Sequence, residues 1–102
     1  MRNRRSFTAE FKREAASLVL DQQYTIREAC ESMGVGATGM RNWVKQLQNE
    51  HKGLTPQGSR ALTEDHQRIQ TLEARIRKLE REKDILKKAS ALLISDSWNA
   101  AI

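Results

Sequence analysis

From Ile69 to Leu93 the apolar side chains fall at Ile69, Leu72, Ile76, Leu79, Leu86 and Leu93, with a leucine at every seventh position from Leu72 onward. With those leucines at position d of a heptad, position a holds Ile69, Ile76, Lys83 and Ser90. Isoleucine at a with leucine at d favours a parallel two-stranded coiled coil. The flanking charges agree. In a parallel dimer each g residue faces the e residue five places on in the partner, and the pairs Arg68 with Glu73, Arg75 with Glu80 and Glu82 with Lys87 are all attractive. Lys83 at a costs stability and disfavours larger oligomers. A lone amphipathic helix packed on its own domain has the same apolar repeat, but that reading gives the charge pattern no role. The stretch predicts a leucine zipper for homodimerisation, with Ile69, Leu72, Ile76, Leu79, Lys83, Leu86 and Leu93 at its seam.

Nearer the N-terminus the period is again helical. Phe7, Phe11, Ala15, Leu18 and Val19 follow a cap at Ser6 or Thr8 and predict a first helix to about Gln22. Thr25-Ile26-Arg27-Glu28 reads as a capping box, which starts a second helix ending near Met33, and Gly34 supplies the turn that stops it. A third helix begins after Gly36 and carries Met40, Trp43, Val44 and Leu47 on one side. These three helices enclose a small core anchored by Trp43. The stretch that follows holds the only proline, Pro56, together with Gly53 and Gly58, and reads as a linker ahead of an N-cap at Thr63. The expected fold class is therefore all-α. Residues 1–50 form a three-helix helix-turn-helix domain, 51–62 a linker, 63–94 the long zipper helix and 95–102 a flexible tail, in which Trp98 is an exposed side chain without a role. No alternating pattern suggests a sheet, and no internal repeat is visible.

Composition narrows the picture. The chain has 102 residues, and with the zipper extended only about fifty remain for a globular core, enough for one small domain. Eighteen Lys and Arg against thirteen Asp and Glu give a net charge of +5, which suits a polyanion such as nucleic acid. The single cysteine, Cys30, forms no internal disulfide, and with only His51 and His66 beside it no zinc site is complete, so a reducing compartment and no cofactor are expected. No apolar run approaches membrane-spanning length, and none follows Arg2, Arg4 and Arg5 as a leader would require. The expected location is cytoplasmic, with no membrane partner.

A helix-turn-helix needs a small residue where its helices cross, a glycine four residues later for the left-handed turn, and apolar residues in the angle between the helices. Cys30 and Gly34 fit the first two, and Ala29, Met33, Val35, Met40 and Trp43 fit the third. Three-helix packing without DNA binding uses the same spacing. If the third helix enters a major groove, Thr38, Arg41, Asn42 and Lys45 share its outer face. Arg41 can pair with guanine and Asn42 with adenine, while Thr38 can meet a thymine methyl or a phosphate and Lys45 a phosphate. For each of them a solvated polar face is the alternative. Gly39 would allow close approach to the duplex, and Arg2, Arg4 and Arg5 form either a basic arm on DNA or a disordered terminus. The carboxylates fall on solvated helix faces and there is no glycine-rich phosphate loop, so no catalytic residues are expected and the chain by itself does not read as an enzyme.

The segments SFTAEFKREAASLVL, YTIREACESMGV and MRNWVKQLQNE, followed by a zipper ending EKDILKKASALLISDS, resemble in that order the first-frame protein, OrfA, of bacterial insertion sequences encoded in two overlapping frames. The resemblance covers nearly the whole chain. It implies a DNA-binding and multimerisation subunit of a transposase: the helix-turn-helix recognises the element's terminal inverted repeats in double-stranded DNA, and the zipper joins subunits. It also implies that the strand-transfer chemistry of the DDE type belongs to a fusion with the second frame, made by ribosomal frameshifting, with which this chain would form heterodimers. The codons of Lys87-Lys88 can supply the slippery sequence. Trp43 matches the family's core tryptophan, whereas Gly36-Ala37-Thr38-Gly39 departs from the hydroxyl residue common near the start of that helix and puts base contacts there in question. Repression of its own promoter is a further expectation. A stand-alone homodimeric helix-turn-helix regulator is the alternative, and a pure coiled-coil scaffold a third reading.

Overall fold

The structure, a computed structural model, describes residues 6–100, with side chains to Asp96. Among the described residues it is all-helical, with α1 (Ala9–Leu20), α2 (Ile26–Met33), α3 (Ala37–His51) and α4 (Glu64–Ala100). Of the two candidate caps, Thr8 starts α1, its hydroxyl accepting from the Phe11 N–H at 3.1 Å. The capping box at α2 forms as the sequence predicts. Thr25 Oγ1 accepts from the Glu28 N–H at 3.1 Å and Glu28 Oε1 from the Thr25 N–H at 3.2 Å, so two otherwise orphaned donors are satisfied. Gly34 ends α2 at φ 68° and ψ 38°, a left-handed position that a side chain would disfavour.

α1 lies chiefly against α3 and, to a lesser extent, α2, while α2 and α3 meet across the turn. Ala15 and Ala16 are wholly buried on α1, and their small side chains let the helices approach closely. Met40, Trp43 and Leu47 face them from α3. Phe7 and Phe11 stack at 5.0 Å between centroids, and both meet Trp43 edge-on, at 5.1 and 6.1 Å. Such aromatic pairs add to the apolar area they bury.

The described fold differs from the sequence expectation in four places. The small residue buried at the helix crossing is Ala29, with no exposure, whereas Cys30 is only partly buried and contributes its carbonyl to the Gly34 and Val35 N–H groups. Gly39 lies against the core edge and is half-buried: a Cβ there would meet the Trp43 ring in ordinary contact, at 3.6 Å, so the position borders the indole and is not bare backbone offered to a duplex. The segment after α3 is not a free connection, because Ala61 and Leu62 are wholly buried and Leu62 belongs to the core. It folds back as a strap, with Gly53 at φ 87° and Gly58 at φ 81° making the turns. Lastly, α4 continues through the expected tail to Ala100. Arg2, Arg4 and Arg5 lie outside the described residues, as does the Trp98 side chain.

The chain divides into two compact units at residue 70. The first holds α1 to α3, the strap and the opening turns of α4. There Thr63 caps the helix as predicted, its hydroxyl 3.4 Å from the His66 N–H. The second is the rest of α4, on which Leu72, Ile76, Leu79, Leu86 and Leu93 are all exposed in the single chain, Leu93 by 67%.

Candidate nucleic-acid interface

α3 is amphipathic over its whole length. At about 100° per residue, Thr38, Arg41, Asn42 and Lys45 fall within one stripe, opposite the Met40, Trp43 and Leu47 stripe that enters the core. All four are exposed. The structure thus brings the four candidates on α3 onto one solvent face. Asn49 lies on the same stripe, one turn beyond Lys45, a position the sequence reading passed over.

The charge of this face depends on a residue that the sequence reading also missed. From Gly34 to Thr63 the chain carries four cations, Arg41, Lys45, Lys52 and Arg60, and one acid, Glu50. Glu50 is only 2% exposed. It sits on the inner side of α3, two turns beyond Trp43, where an ionised carboxylate persists only if donors surround it. They do. The Leu62 N–H donates to both oxygens, at 3.1 and 2.9 Å, the Thr63 N–H and hydroxyl donate at 2.9 and 2.8 Å, and Gln46 Nε2 donates at 3.0 Å. Burial by itself raises the pKa of this carboxyl, but the Leu62 and Thr63 N–H groups, with Gln46 and the Thr63 hydroxyl, outweigh it and hold the group below its ordinary value. With Glu50 turned inward and its charge held by donors, the solvent surface of α3 and the strap presents no carboxylate.

The same contacts fix the strap. Gln46 also donates to the Arg60 carbonyl at 2.9 Å, and Arg13 Nη1 to the Leu62 carbonyl at 3.4 Å. From α4, Gln67 donates to the Ala61 carbonyl at 3.0 Å, and Gln70 to those of Pro56 and Ser59 at 3.0 and 2.8 Å, while Gln70 Oε1 accepts from the Ala61 N–H at 2.9 Å. Thr55 Oγ1 meets His66 Nδ1 at 2.8 Å. Side chains therefore satisfy the backbone of a segment that has no secondary structure of its own. The sequence held one partial signal: a glutamate on the apolar stripe of a helix requires donors, though nothing local says which segment supplies them.

On α4 the charged positions flanking the apolar seam are available. Among the described residues the single ion pair is Arg27–Glu31, at 3.3 Å on α2, so Arg68, Glu73, Arg75, Glu80, Glu82 and Lys87 have no intrachain ionic partner. No helix among the described residues is long and apolar enough to cross a membrane, and no group of three or more His, Cys, Asp and Glu converges on a metal-sized site.

A capped helix, a left-handed glycine turn and a second helix with a solvent-facing cationic stripe, followed by one long helix, define a helix-turn-helix protein of the DNA-binding kind. Residues 1–83 match the family HTH_Tnp_1, described as "Transposase", and the chain belongs to that family. It is 46% identical over 87 residues to the protein InsN of insertion sequence element IS911A from Escherichia coli (strain K12), an alignment covering 85% of this chain and 64% of the relative. It is 45% identical over 85 residues to InsN of IS911B from the same organism, covering 83% of this chain and 96% of the relative. An 11 kDa protein of insertion element IS600 from Shigella sonnei is 31% identical over 96 residues, covering 94% of this chain and 93% of the relative. The chain thus spans just under two thirds of the first of these relatives. No solved structure matches it significantly.

Proposed function

We propose that this chain is the sequence-specific DNA-binding and multimerisation subunit of an insertion-sequence transposase, recognising the element's terminal inverted repeats. The observation that carries the reading is the face of α3, where Thr38, Arg41, Asn42 and Lys45 stand exposed on a helix whose one acid, Glu50, is buried. Arg41 and Asn42 read base edges, Lys45 holds a phosphate, and Thr38 serves at the helix start; Arg2, Arg4 and Arg5 extend the contact along the backbone. The exposed seam from Ile69 through Leu72, Ile76, Leu79, Lys83 and Leu86 to Leu93 joins two copies in parallel, and the unpaired g and e charges select that register.

Strand-transfer chemistry then resides on a frameshifted fusion sharing this N-terminal region, with which the chain forms heterodimers, and binding near the element's end represses the promoter there. A shift at Lys87-Lys88 leaves the heptads through Leu86 common to both products and replaces Ser90 and Leu93. Mass spectrometry of the expressed locus should find a peptide that departs near Lys88. A junction well outside the zipper would remove the fusion reading without touching DNA binding.

The deciding experiment is a salt titration on the element's end. Arg41→Ala should cost about 1–3 kcal/mol on the specific site and blur preference at one base pair, whereas Lys45→Ala should weaken all sequences alike and lower the salt slope by about one. Parent-like behaviour of both variants would show that α3 is not the reader.

A further inference from the structure

Beside the outer stripe of α3, the strap encloses a cleft of about 250 Å³. Asn42, Lys45 and Asn49 line it from the helix, and Leu54, Thr55 and Pro56 from the strap. The two walls differ in chemistry. The helix wall is polar and cationic, and the Asn49 backbone carbonyl, which accepts from the Lys52 and Leu54 N–H groups, ties the strap to it. The strap wall is largely apolar, its one hydroxyl, on Thr55, being taken up by His66 Nδ1 at 2.8 Å, and Leu54 is 58% exposed on a loop that is nonetheless fixed, its N–H bonded to the Asn49 carbonyl at 2.9 Å. No carboxylate lines the cleft.

An occupant must offer an anionic head to Lys45 and an apolar flank to Leu54 and Pro56. The sugar–phosphate backbone of DNA has both, a phosphate and the C–H face of a deoxyribose. Two apolar side chains bury too little surface for a protein partner. The cleft also shares Asn42 and Lys45 with the reading face, so a duplex seated on α3 would bring one strand to its mouth. We propose that the cleft between α3 and the strap is the seat of one strand's sugar–phosphate backbone, with Lys45 and Asn49 on the phosphate and Leu54 and Pro56 against the sugar. This rests on the DNA-binding reading above and adds Asn49, Leu54 and Pro56 to the contact surface.

Opposite charges placed at one exposed position separate this from loss of packing. The probes are a duplex selected by the parent from a randomised pool and a random-sequence duplex of the same length, bound to the full chain. Leu54→Glu should weaken both by about tenfold at low salt and Leu54→Lys should tighten both several-fold, since the site is blind to sequence. Replacing phosphates one at a time by neutral methylphosphonate should identify one position that weakens the parent, has no effect on Lys45→Ala, and relieves the defect of Leu54→Glu. Equal binding by the two Leu54 variants, or no phosphate shared between Lys45 and Leu54, overturns the seat. If that happens while Arg41→Ala still loses sequence preference, the DNA-binding reading stands without the cleft. If the selection yields no duplex that the parent binds, both fall together.

Discussion

Glu50 carries more of this domain than any other polar residue, because its carboxylate satisfies the backbone where the strap re-enters the core. Glu50→Gln keeps one acceptor oxygen for the Leu62 and Thr63 donors but sets an NH2 in place of the other, against the Gln46 amide, and should cost about 2 kcal/mol. The native carboxyl titrates below the ordinary value of 4.5, so between the two values the folded state holds fewer protons than the unfolded one. The stabilisation is therefore complete above the unfolded value and fades as pH falls through the native one. Thermal melts by circular dichroism from neutral pH into the acid range should show that decline in the parent and a flatter one in Glu50→Gln; parallel curves would mean that the carboxylate is not the group responsible. Trp43→Ala should cost about 3–5 kcal/mol, because the indole closes the core against Phe7 and Phe11, and an unchanged melt would contradict its burial. At this scale the sequence was legible where a residue type has one structural use, as with Trp43 in the core, Thr25 in the capping box and Gly34 in the turn. It misled where a residue has two. Cys30 and Ala29 are both small, and only the three-dimensional crossing distinguishes them; Gly39 offers bare backbone in either direction, and the indole lies on the inner side.

The helices themselves were readable because apolar period, caps and breakers agree over each of them. The strap was not, since proline and glycine mark a change of direction without saying whether the segment then leaves the domain or folds back on it. What brings it back is a set of long-range side-chain bonds from Gln46, Glu50, Gln67 and Gln70, and no local pattern encodes those. Two substitutions test the short elements. Thr25→Ala should cost about 1 kcal/mol through the lost cap of α2. Gly34→Ala should cost about 1–2 kcal/mol through its left-handed backbone alone, because nothing lies within 4 Å of the position a Cβ would occupy. Both are measurable by chemical denaturation, and a neutral Gly34→Ala would show that the turn is not held at positive φ.

For the whole molecule, the proposed parallel dimer would bind paired sites through two copies acting together. The double variant Glu73→Lys with Glu80→Lys sets lysine against arginine at two g–e contacts, so sedimentation should show monomers while circular dichroism still reports folded N-terminal helices. Its binding to a single site should be unaltered, and any gain from a second site in the same duplex should vanish with the tether. A persistent dimer would refute the parallel register. The strap has a consequence of a different kind. The cationic face of α3 and the g–e charges of α4 work through charges that dissolved ions screen, whereas the strap is held largely by glutamine amides on backbone carbonyls and by a buried carboxylate, which ions hardly reach. On a heparin column run with rising sodium chloride, the protein should therefore release its polyanion first and have its partner contacts weakened next. It should still leave the column with its domain folded, ready to reassemble when the eluate is desalted at constant protein concentration.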